Sequence, residues 1–383
     1  MAGYFVRRLR RIAVTLCLIV TLSFFLVQAQ PGDYASFYAL NPDLPPEVKD
    51  QVKAAFGLDK PLWQQYLIHL RNTFTGNFGF SFGHFPRSVT DVLLERLPRT
   101  AVLFLTATVV SFYTGFLLGK AIAWRRGGVL EYTATISGTT LFTVFTPWFA
   151  LMMIWVFAFK LGWFPVGKFL DPLIWREASV SANFVFNNML ITAGAFTGFL
   201  FLTLLFFRRI GRRRWNRGLM PVILVAAAVI PVVWGFSGIG FLALDIIKHM
   251  VLPIGTLTLI SFAGTMLLTR NSMLETIRED YVMVARAKGL PEKAVRDRHA
   301  ARNALLPVVT SLVYGLIFAI DGSVIIETIF SWPGTGLTLL QAVRSEDLPL
   351  VMGAIAFIGL FTVTAHLIAD IVYTYLDPRI RYQ

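Results

Sequence analysis

Residues 12–29, IAVTLCLIVTLSFFLVQA, form a run without a charged side chain, and four arginines precede it within residues 7–11. A helix needs about 20 mostly apolar residues to cross the hydrocarbon core of a bilayer. A signal peptide would carry a shorter apolar stretch and a cleavage site of small residues, and residues 26–30 provide a poor one. The run therefore predicts an uncleaved membrane-spanning helix whose N-terminus lies in the cytoplasm.

The composition of the whole chain agrees with this prediction. The chain has 383 residues, of which 56% are hydrophobic and only 15% are charged, and its mean hydropathy is +0.64. A soluble domain carries about 25% charged residues, so this chain has too few charges to cover a soluble surface. The same numbers exclude a disordered chain and a collagen, and the single cysteine, Cys17, excludes a disulfide scaffold.

Seven further apolar runs bring the number of predicted spans to eight. We therefore predict an all-α polytopic membrane protein with its N- and C-termini in the cytoplasm. The fifth span is the weakest because it is short and contains Pro221 and Pro231. The seven runs cover about 99–123, 132–159, 188–207, 218–235, 249–269, 308–330 and 350–373.

The net charge of +13 tests this topology. The five segments predicted to be cytoplasmic hold 22 of the 35 Lys and Arg residues and carry a net charge of +15, whereas the external segments are neutral overall. Basic residues concentrate in the cytoplasmic loops of membrane proteins. The distribution of the excess charge thus indicates a protein in a lipid bilayer, and it does not indicate a nucleic-acid partner. The five segments are 1–11, 124–131, 208–217, 270–307 and 374–383.

The predicted spans divide the chain into five parts. The external segment contains two predicted short helices, at 47–56 and 62–74, and we expect it to form a small cap. The hairpin of the fourth and fifth spans has six arginines in its loop, 208–217, which we interpret as a topology anchor rather than a site for anionic lipid. The parts are 1–29 (first span), 30–98 (cap), 99–187 (second and third spans), 188–235 (inserted hairpin) and 236–383 (C-terminal core with loop 270–307).

No group of side chains predicts catalysis or a metal site. The stretch GFLLGKA at 115–121 resembles a phosphate-binding loop, but it lacks one spacer residue, and Ala121 replaces the hydroxyl residue that would hold magnesium. We interpret Gly115 and Gly119 instead as a face for close helix packing. None of the five histidines has a second ligand at metal-binding spacing, and no G-x-S-x-G motif is present.

Three carboxylates, Asp321, Glu327 and Asp370, fall within predicted spans. A carboxylate near mid-span costs about 2.5–3.5 kcal/mol on insertion scales, so it usually faces a cavity or a partner group. Asp321 lies deepest, and Glu327 and Asp370 lie nearer the span ends. Two interpretations stay open: Asp321 and Glu327 line a translocation pathway, or they make hydrogen-bonded packing contacts with neighbouring helices.

The cytoplasmic loop 270–307 is long enough to have a fold of its own. Residues 272–288 place apolar side chains on one face of a predicted helix, and Gly289 is a natural end for it. Pro291 suits the first turn of a second short helix. We therefore predict an amphipathic helical element on the cytoplasmic side, with a shape suited to a cleft on a soluble partner.

Three motifs are similar to those of a known family. The sequences DYVMVARAKGL at 280–290 and RHAARNALLP at 298–307 match a coupling loop, and ETIFSWPGTG at 327–336 is highly characteristic. The chain resembles a permease subunit of a binding-protein-dependent ABC importer, namely the first permease of the dipeptide, oligopeptide and nickel class. It departs from this class in the hairpin 188–235, which raises the usual six spans to eight, and in Asp321, where a small or uncharged residue is usual.

The resemblance implies a transport subunit without its own ATPase site, located in the inner (cytoplasmic) membrane of a prokaryote. A second homologous permease would complete the pathway, and an external solute-binding protein would deliver the solute. Two cytoplasmic ATPase subunits would bind ATP and magnesium, while this chain would bind no cofactor. The coupling helix would lie at about 289–299. The residues implied in coupling are Tyr281, Ala285, Lys288, Gly289, Arg296, His299 and Asn303.

Other functions compete with this one. An ion-coupled secondary transporter would use Asp321, Glu327 and Asp370, but it would need paired discontinuous helices in two matched halves, and the sequence shows no such symmetry. A membrane-embedded enzyme lacks a nucleophile, metal or phosphate motif to support it. Within the importer class, the sequence leaves open whether the solute is a peptide, an oligosaccharide or a nickel complex.

Overall fold

The computed structural model describes residues 2–29, 60–210 and 212–376. Regular structure in these ranges is helical, and one isolated antiparallel bridge pairs Phe80 with Ser88. The chain begins with α1 (Ala2–Gln28), α2 (Leu62–Thr75), α3 (Val89–Trp124), α4 (Val129–Thr143) and α5 (Thr146–Met153), and α5 continues as a π-helix (Ile154–Lys160).

The remaining elements include the predicted hairpin and the predicted coupling loop. The predicted helix at 47–56 lies outside the described residues, whereas the one at 62–74 is confirmed as α2. The elements are α6 (Pro172–Trp175), α7 (Ala182–Ile210), α8 (Arg212–Phe236), α9 (Gly240–Thr276), α10 (Asp280–Ala287), α11 (Glu292–Ala294), a second π-helix (Val295–Ala300), α12 (Ala301–Asp321), α13 (Val324–Ile329), α14 (Thr335–Arg344) and α15 (Leu348–Leu376).

Five helices in the described ranges are long and apolar enough to cross a membrane. The bent pair formed by α4 and α5 gives a sixth if it is one span. The predicted all-α, multi-span fold is therefore confirmed. In addition, α1 is helical through the first predicted span, and α8 contains the shorter apolar helix Met220–Phe236. The five helical segments are Val89–Trp124, Ala182–Phe207, Gly240–Thr276, Glu292–Ala319 and Leu348–Ile368.

The third predicted span, 132–159, is wrong as a single straight helix. Its two helices, α4 and α5, meet at an angle of 108°. The break includes Val144, whose backbone is extended (φ −66°, ψ 142°). Pro147 follows, and because it has no amide hydrogen it cannot bond back to residue 143. It lies instead in the first turn of α5, where a missing donor costs nothing.

The seventh predicted span, 308–330, is wrong beyond residue 321. Helix α12 ends at Asp321, and Gly322 adopts a left-handed backbone with a φ of +69°. The Ser323 hydroxyl then accepts a hydrogen bond from the Ile326 amide and begins α13. Glu327 consequently lies on a short helix between two spans. The side chains of Asp321 and Asp370 lie outside the described part of the chain.

Close packing of α3 against α9 explains the glycines of the 115–121 stretch. A Cβ atom on Gly115 would lie 2.5 Å from the Phe262 carbonyl oxygen, and one on Gly119 would overlap the Met266 carbonyl oxygen. Such contacts require glycine, since any side chain would push the two backbones apart. The interpretation of these glycines as a helix-packing face is confirmed.

The chain divides into two compact units, one of residues 1–153 with 253–383 and one of residues 154–252. In the first unit, α1, α3 and α15 share an apolar core that includes the buried side chains of Val20, Leu93 and Leu350. In the second unit, α7 and α8 form the hairpin, and an apolar cavity of about 720 Å³ lies along it.

Candidate coupling site

Helix α10 has a buried side and an exposed side. The side chains of Val282 and Ala285 are buried, whereas Tyr281, Met283 and Val284 are 38%, 60% and 50% exposed. Of the two residues of α10 implied in coupling, Tyr281 is therefore accessible, while Ala285 belongs to the interior of the loop.

The buried side of α10 packs on a cluster of mostly small side chains. Five of the eight buried members are alanines, which allow α10, the second π-helix and the start of α12 to approach one another closely. Ala123, near the C-terminal end of α3, belongs to the same cluster, so the loop is built onto that helix. The members are Ala123, Met273, Val282, Ala285, Val295, Ala300, Ala301 and Ala304.

A tight turn follows α10 at Gly289, which has a φ of +71°. The Gly289 amide donates to the Arg286 carbonyl oxygen at 2.9 Å, and the Lys288 amide donates to the Val284 carbonyl oxygen at 3.0 Å. A Cβ atom on Gly289 would meet nothing within 4 Å. Glycine is therefore needed for its left-handed conformation rather than for space, and the predicted helix end at Gly289 is confirmed.

We call six of the exposed residues of α10 and this turn the loop face. It combines large apolar side chains with one cationic side chain. The loop face consists of Tyr281, Met283, Val284, Lys288, Gly289 and Leu290.

The helices around the turn differ from the prediction in two ways. The predicted helix 272–288 is two helices, because α9 runs on to Thr276 and the extended backbone of Glu279 precedes α10. The predicted short helix at 289–299 is not separate either. It begins at Glu292 and continues through the second π-helix into α12 without a break.

The second π-helix changes which charged side chains meet. Its wider turn shifts the spacing from the i,i+4 spacing of an α-helix. Within it, Arg296 donates two hydrogen bonds of 2.8 and 3.0 Å to the adjacent Asp297. Glu292, which precedes the π-helix, pairs with Arg286 across the Gly289 turn at 3.4 Å. A regular α-helix from residue 292 would predict i,i+4 ion pairs of Glu292 with Arg296 and of Lys293 with Asp297, and the structure shows the other pairs instead.

The structure separates the residues implied in coupling into two groups. Tyr281, Lys288 and Gly289 lie together on the loop face. Arg296 and His299 lie on the second π-helix, and the exposed Asn303 lies at the start of α12.

Two side chains near the end of α3 attach the loop to that helix. The Lys120 ammonium lies 3.3 Å from a carboxylate oxygen of Asp297, and the Arg286 guanidinium lies 5.4 Å from the ring centroid of Trp124. Sequence reasoning assigned Lys120 only to a false phosphate-binding motif. A lysine at the cytoplasmic end of a predicted span is a weak signal by itself, because it usually serves topology.

Glu327 lies toward the other end of α3, where its carboxylate is completely buried. One carboxylate oxygen accepts a hydrogen bond from the Thr100 hydroxyl at 2.7 Å, and the other accepts one from the Leu337 amide at 2.8 Å. The Thr335 amide donates to the Thr100 hydroxyl at 2.8 Å, and the Trp332 indole donates to the Arg99 carbonyl oxygen at 3.1 Å. We call Thr100, Glu327, Trp332, Thr335 and Leu337 the Glu327 clasp.

The glycines of the 327–336 motif make this clasp possible. A Cβ atom on Gly334 would overlap both the Thr100 hydroxyl and the Glu327 carboxylate, and one on Gly336 would lie 2.9 Å from the Val324 amide nitrogen. The motif thus forms a buried, hydrogen-bonded contact between α3 and the segment that contains α13 and α14.

Asp347 makes a second buried, hydrogen-bonded contact, which the sequence did not predict. Its buried carboxylate accepts hydrogen bonds from the Ser81 hydroxyl at 2.6 Å and the Gly83 amide at 3.1 Å. Both donors belong to the predicted cap. The Ser81 and Asp347 positions are 266 apart along the chain, so no local pattern could reveal the contact.

The site offers surfaces for binding rather than reacting groups. Across the described ranges, no cluster of three His, Cys, Asp or Glu side chains is placed to hold a metal ion. The loop face has the chemistry of a protein docking surface, because exposed apolar side chains lie on a helix whose other side is fixed.

Two family models match the chain. Residues 209–382 match the family described as the inner membrane component of binding-protein-dependent transport systems, and residues 1–106 match the N-terminal part of such membrane components. The chain belongs to this family of binding-protein-dependent transport permeases.

Three relatives align with the chain from end to end, each alignment covering all of both proteins. The chain is 30% identical to the oligopeptide transport system permease protein AppB of Bacillus subtilis (strain 168) and 31% identical to the dipeptide transport system permease protein DppB of Escherichia coli (strain K12). It is 32% identical to the di/tripeptide transport system permease protein DppB of Pseudomonas aeruginosa (strain UCBPP-PA14). The predicted family is confirmed, and the chain is a multi-pass membrane permease.

Proposed function

We propose that this chain is the first of two homologous permeases in an ATP-driven importer of peptides. The relatives are named for oligopeptides, dipeptides and di/tripeptides, so a peptide is the solute with the best support. The two permeases line a pathway through the inner membrane. An external solute-binding protein delivers the peptide, and the cap segment 30–98 contributes to its docking surface.

The observation that carries the coupling role is the loop face. Tyr281, Met283 and Val284 are exposed although α10 is held firmly on its other side. Large apolar side chains on a fixed helix favour burial in a groove of a partner protein. We assign that groove to one of two cytoplasmic ATPase subunits, which bind ATP and magnesium. Closure of the ATPases moves the loop face and switches the pathway from inward-facing to outward-facing.

Ion coupling has less support. Both carboxylate oxygens of Glu327 accept hydrogen bonds inside the clasp, which is the arrangement of a structural carboxylate. No described contact of Glu327 favours a proton or sodium pathway, so we do not propose a secondary transporter.

The direct test is uptake by the assembled complex. The chain would be purified together with the second permease, the two ATPases and the binding protein, and the complex would be reconstituted into liposomes. We expect uptake of radiolabelled dialanine to require ATP and to be lost when the ATPases carry an inactivating substitution.

Two controls address the alternatives. Excess maltotriose and a nickel chelate test whether an oligosaccharide or a metal complex displaces the peptide. Uptake that continues with inactive ATPases and is abolished by a proton or sodium ionophore would show that the proposal is wrong.

A further inference from the structure

The contact between Lys120 and Asp297 has features of a fixed attachment. Both side chains are partly buried, at 21% and 30% exposure, so solvent screens this pair less than it screens a fully exposed pair. Arg296 holds the same Asp297 carboxylate through two hydrogen bonds. The carboxylate is therefore positioned before it meets the lysine.

A second contact lies one helical turn further along α3. Residues at i and i+4 share a face of a helix, so Lys120 and Trp124 point toward the same side. Trp124 contacts Arg286 of α10, and Arg286 also pairs with Glu292 across the turn. Both pieces of the loop, α10 and the second π-helix, are thus attached separately to α3.

Helix α3 itself connects this attachment to the Glu327 clasp. It has 36 residues, and the stretch from Thr100 to Lys120 is about 30 Å long at 1.5 Å per residue. Between its ends, Gly115 and Gly119 hold it tightly against α9. Helix α3 is thus held at Thr100 by the clasp and from Gly115 to Trp124 by α9 and the loop, and a close-packed helix held in this way transmits a displacement along its axis.

We infer that Lys120 and Asp297 are positioning residues that make the coupling loop and α3 one rigid body, through which movement of the loop reaches the clasp. The inference rests on the proposed function, because it takes the ATPases as the source of the movement. The opposing model is a hinge, in which the loop rotates freely against the end of α3 during the transport cycle.

Charge variants test the pair. Lys120→Asp and Asp297→Lys should each reduce the stimulation of ATP hydrolysis by the dialanine-loaded binding protein about tenfold, a typical allosteric coupling. The double variant K120D/D297K restores the attraction and should recover most of the stimulation, as should the conservative variant Lys120→Arg. If the charge-reversed single variants lose stimulation and neither K120D/D297K nor Lys120→Arg shows it, the inference is overturned.

Arg126 provides the matched control. It is exposed near the same end of α3, and in the described part of the chain it makes no ion pair. Arg126→Asp changes the charge by the same amount, so it reports any effect on membrane topology. We expect stimulation in this variant to stay within about twofold of wild type, which is below the change of about fivefold or more that typical allosteric coupling produces. An equal loss in Arg126→Asp and Lys120→Asp would assign the effect to topology and reject the pair.

Covalent linkage separates the rigid-body model from the hinge model. Because Cys17 is the single cysteine, the variant C17S/K120C/D297C allows the two positions to be joined by a short bifunctional thiol reagent. Stimulation should be low before linking and should recover after it, and a monofunctional reagent should not restore it. Linking that leaves stimulation low would support a hinge and overturn the inference.

Wild-type measurements distinguish this inference from the proposed function. If the wild-type complex shows no ATP-dependent dialanine uptake, the proposed function fails. If the wild-type complex is active and the Lys120 and Asp297 variants are stimulated normally, only the rigid-body inference fails.

Discussion

The coupling loop and the Glu327 clasp both contact α3, yet the loop face and the clasp have opposite exposure. In the clasp, Glu327, Trp332 and Thr335 are completely buried, and the carboxylate and the indole have hydrogen-bond partners. On the loop face, Met283 and Val284 remain exposed. The motif at 327–336 thus forms a buried contact inside the protein, whereas the motif at 280–290 forms a surface suited to a partner.

This difference predicts how substitutions act. A buried polar group that loses its partner costs about 1–3 kcal/mol of stability, so changes in the clasp should reduce the amount of folded protein. Exposed apolar side chains add little to stability in the isolated chain. Changes on the loop face should therefore leave the protein folded and impair its work with a partner.

Gly334→Val should have the largest effect of all, because it would destroy the clasp. The new side chain would overlap the Thr100 hydroxyl and the Glu327 carboxylate, and overpacking alone costs about 1–3 kcal/mol. We expect little monodisperse protein in size-exclusion chromatography of detergent extracts. Gly194→Val is the control, since its Cβ position is open. Normal yield of Gly334→Val would contradict the description of the clasp as closed.

Gly289→Pro should act on function alone. Proline fixes φ near −65° and lacks the amide that bonds to Arg286, so the left-handed turn cannot form. We expect normal amounts of protein in the membrane but complete loss of substrate-stimulated ATP hydrolysis by the complex. Gly289→Asn, which tolerates the left-handed conformation, should retain stimulation. Normal stimulation in the proline variant would remove this turn from the coupling mechanism.

The sequence predicted those features that depend on neighbours along the chain. Hydrophobic runs revealed the helices, and Gly289 ended its helix as expected because left-handed backbone is a local preference of glycine. Gly115 and Gly119 were also interpreted correctly, since spacing by four residues places them on one helix face.

Features that depend on distant contacts escaped prediction. The span 308–330 looked continuous because apolar residues continue past Gly322, and only the folded chain shows that Glu327 meets Thr100, 227 positions away. Lys120 looked like part of a phosphate-binding motif, because its partner Asp297 lies far away along the chain. Hydrophobicity alone could not distinguish a spanning helix from a buried segment between spans.

A pair of adjacent substitutions sharpens the contrast within α10 itself. Val284→Asp changes the exposed side, and we expect it to weaken binding of the ATPase subunit about tenfold, as loss of one good interface contact does, with an unchanged melting temperature. Val282→Asp places a charge in the buried cluster and should lower the melting temperature. Titration of detergent-purified permease with labelled ATPase measures the first effect. If the two variants lose the same binding affinity and have the same melting temperature, α10 has no fixed buried side.

The contact between α1 and α2 extends the comparison to a buried polar group without the partners that Glu327 has. The His69 ring stacks on Phe24 with centroids 5.6 Å apart, and among the described residues its Nε2 atom has no hydrogen-bond partner. Burial lowers the pKa of His69 from 6.5 to about 4. Between these values the unfolded chain binds a proton that the folded chain does not, so stability is lost as the pH falls below 6.5.

This last effect should be the smallest, a decrease of a few degrees in the melting temperature between pH 7.5 and pH 5. His69→Phe keeps an aromatic ring against Phe24 and removes the titrating group, so it should show a smaller decrease over the same range. Differential scanning fluorimetry of both proteins in one detergent measures the difference. An identical pH response in the two proteins would mean that His69 is hydrated in the folded state. His69 would then no longer be an example of a buried polar group without a partner, and only the Glu327 half of the comparison would remain.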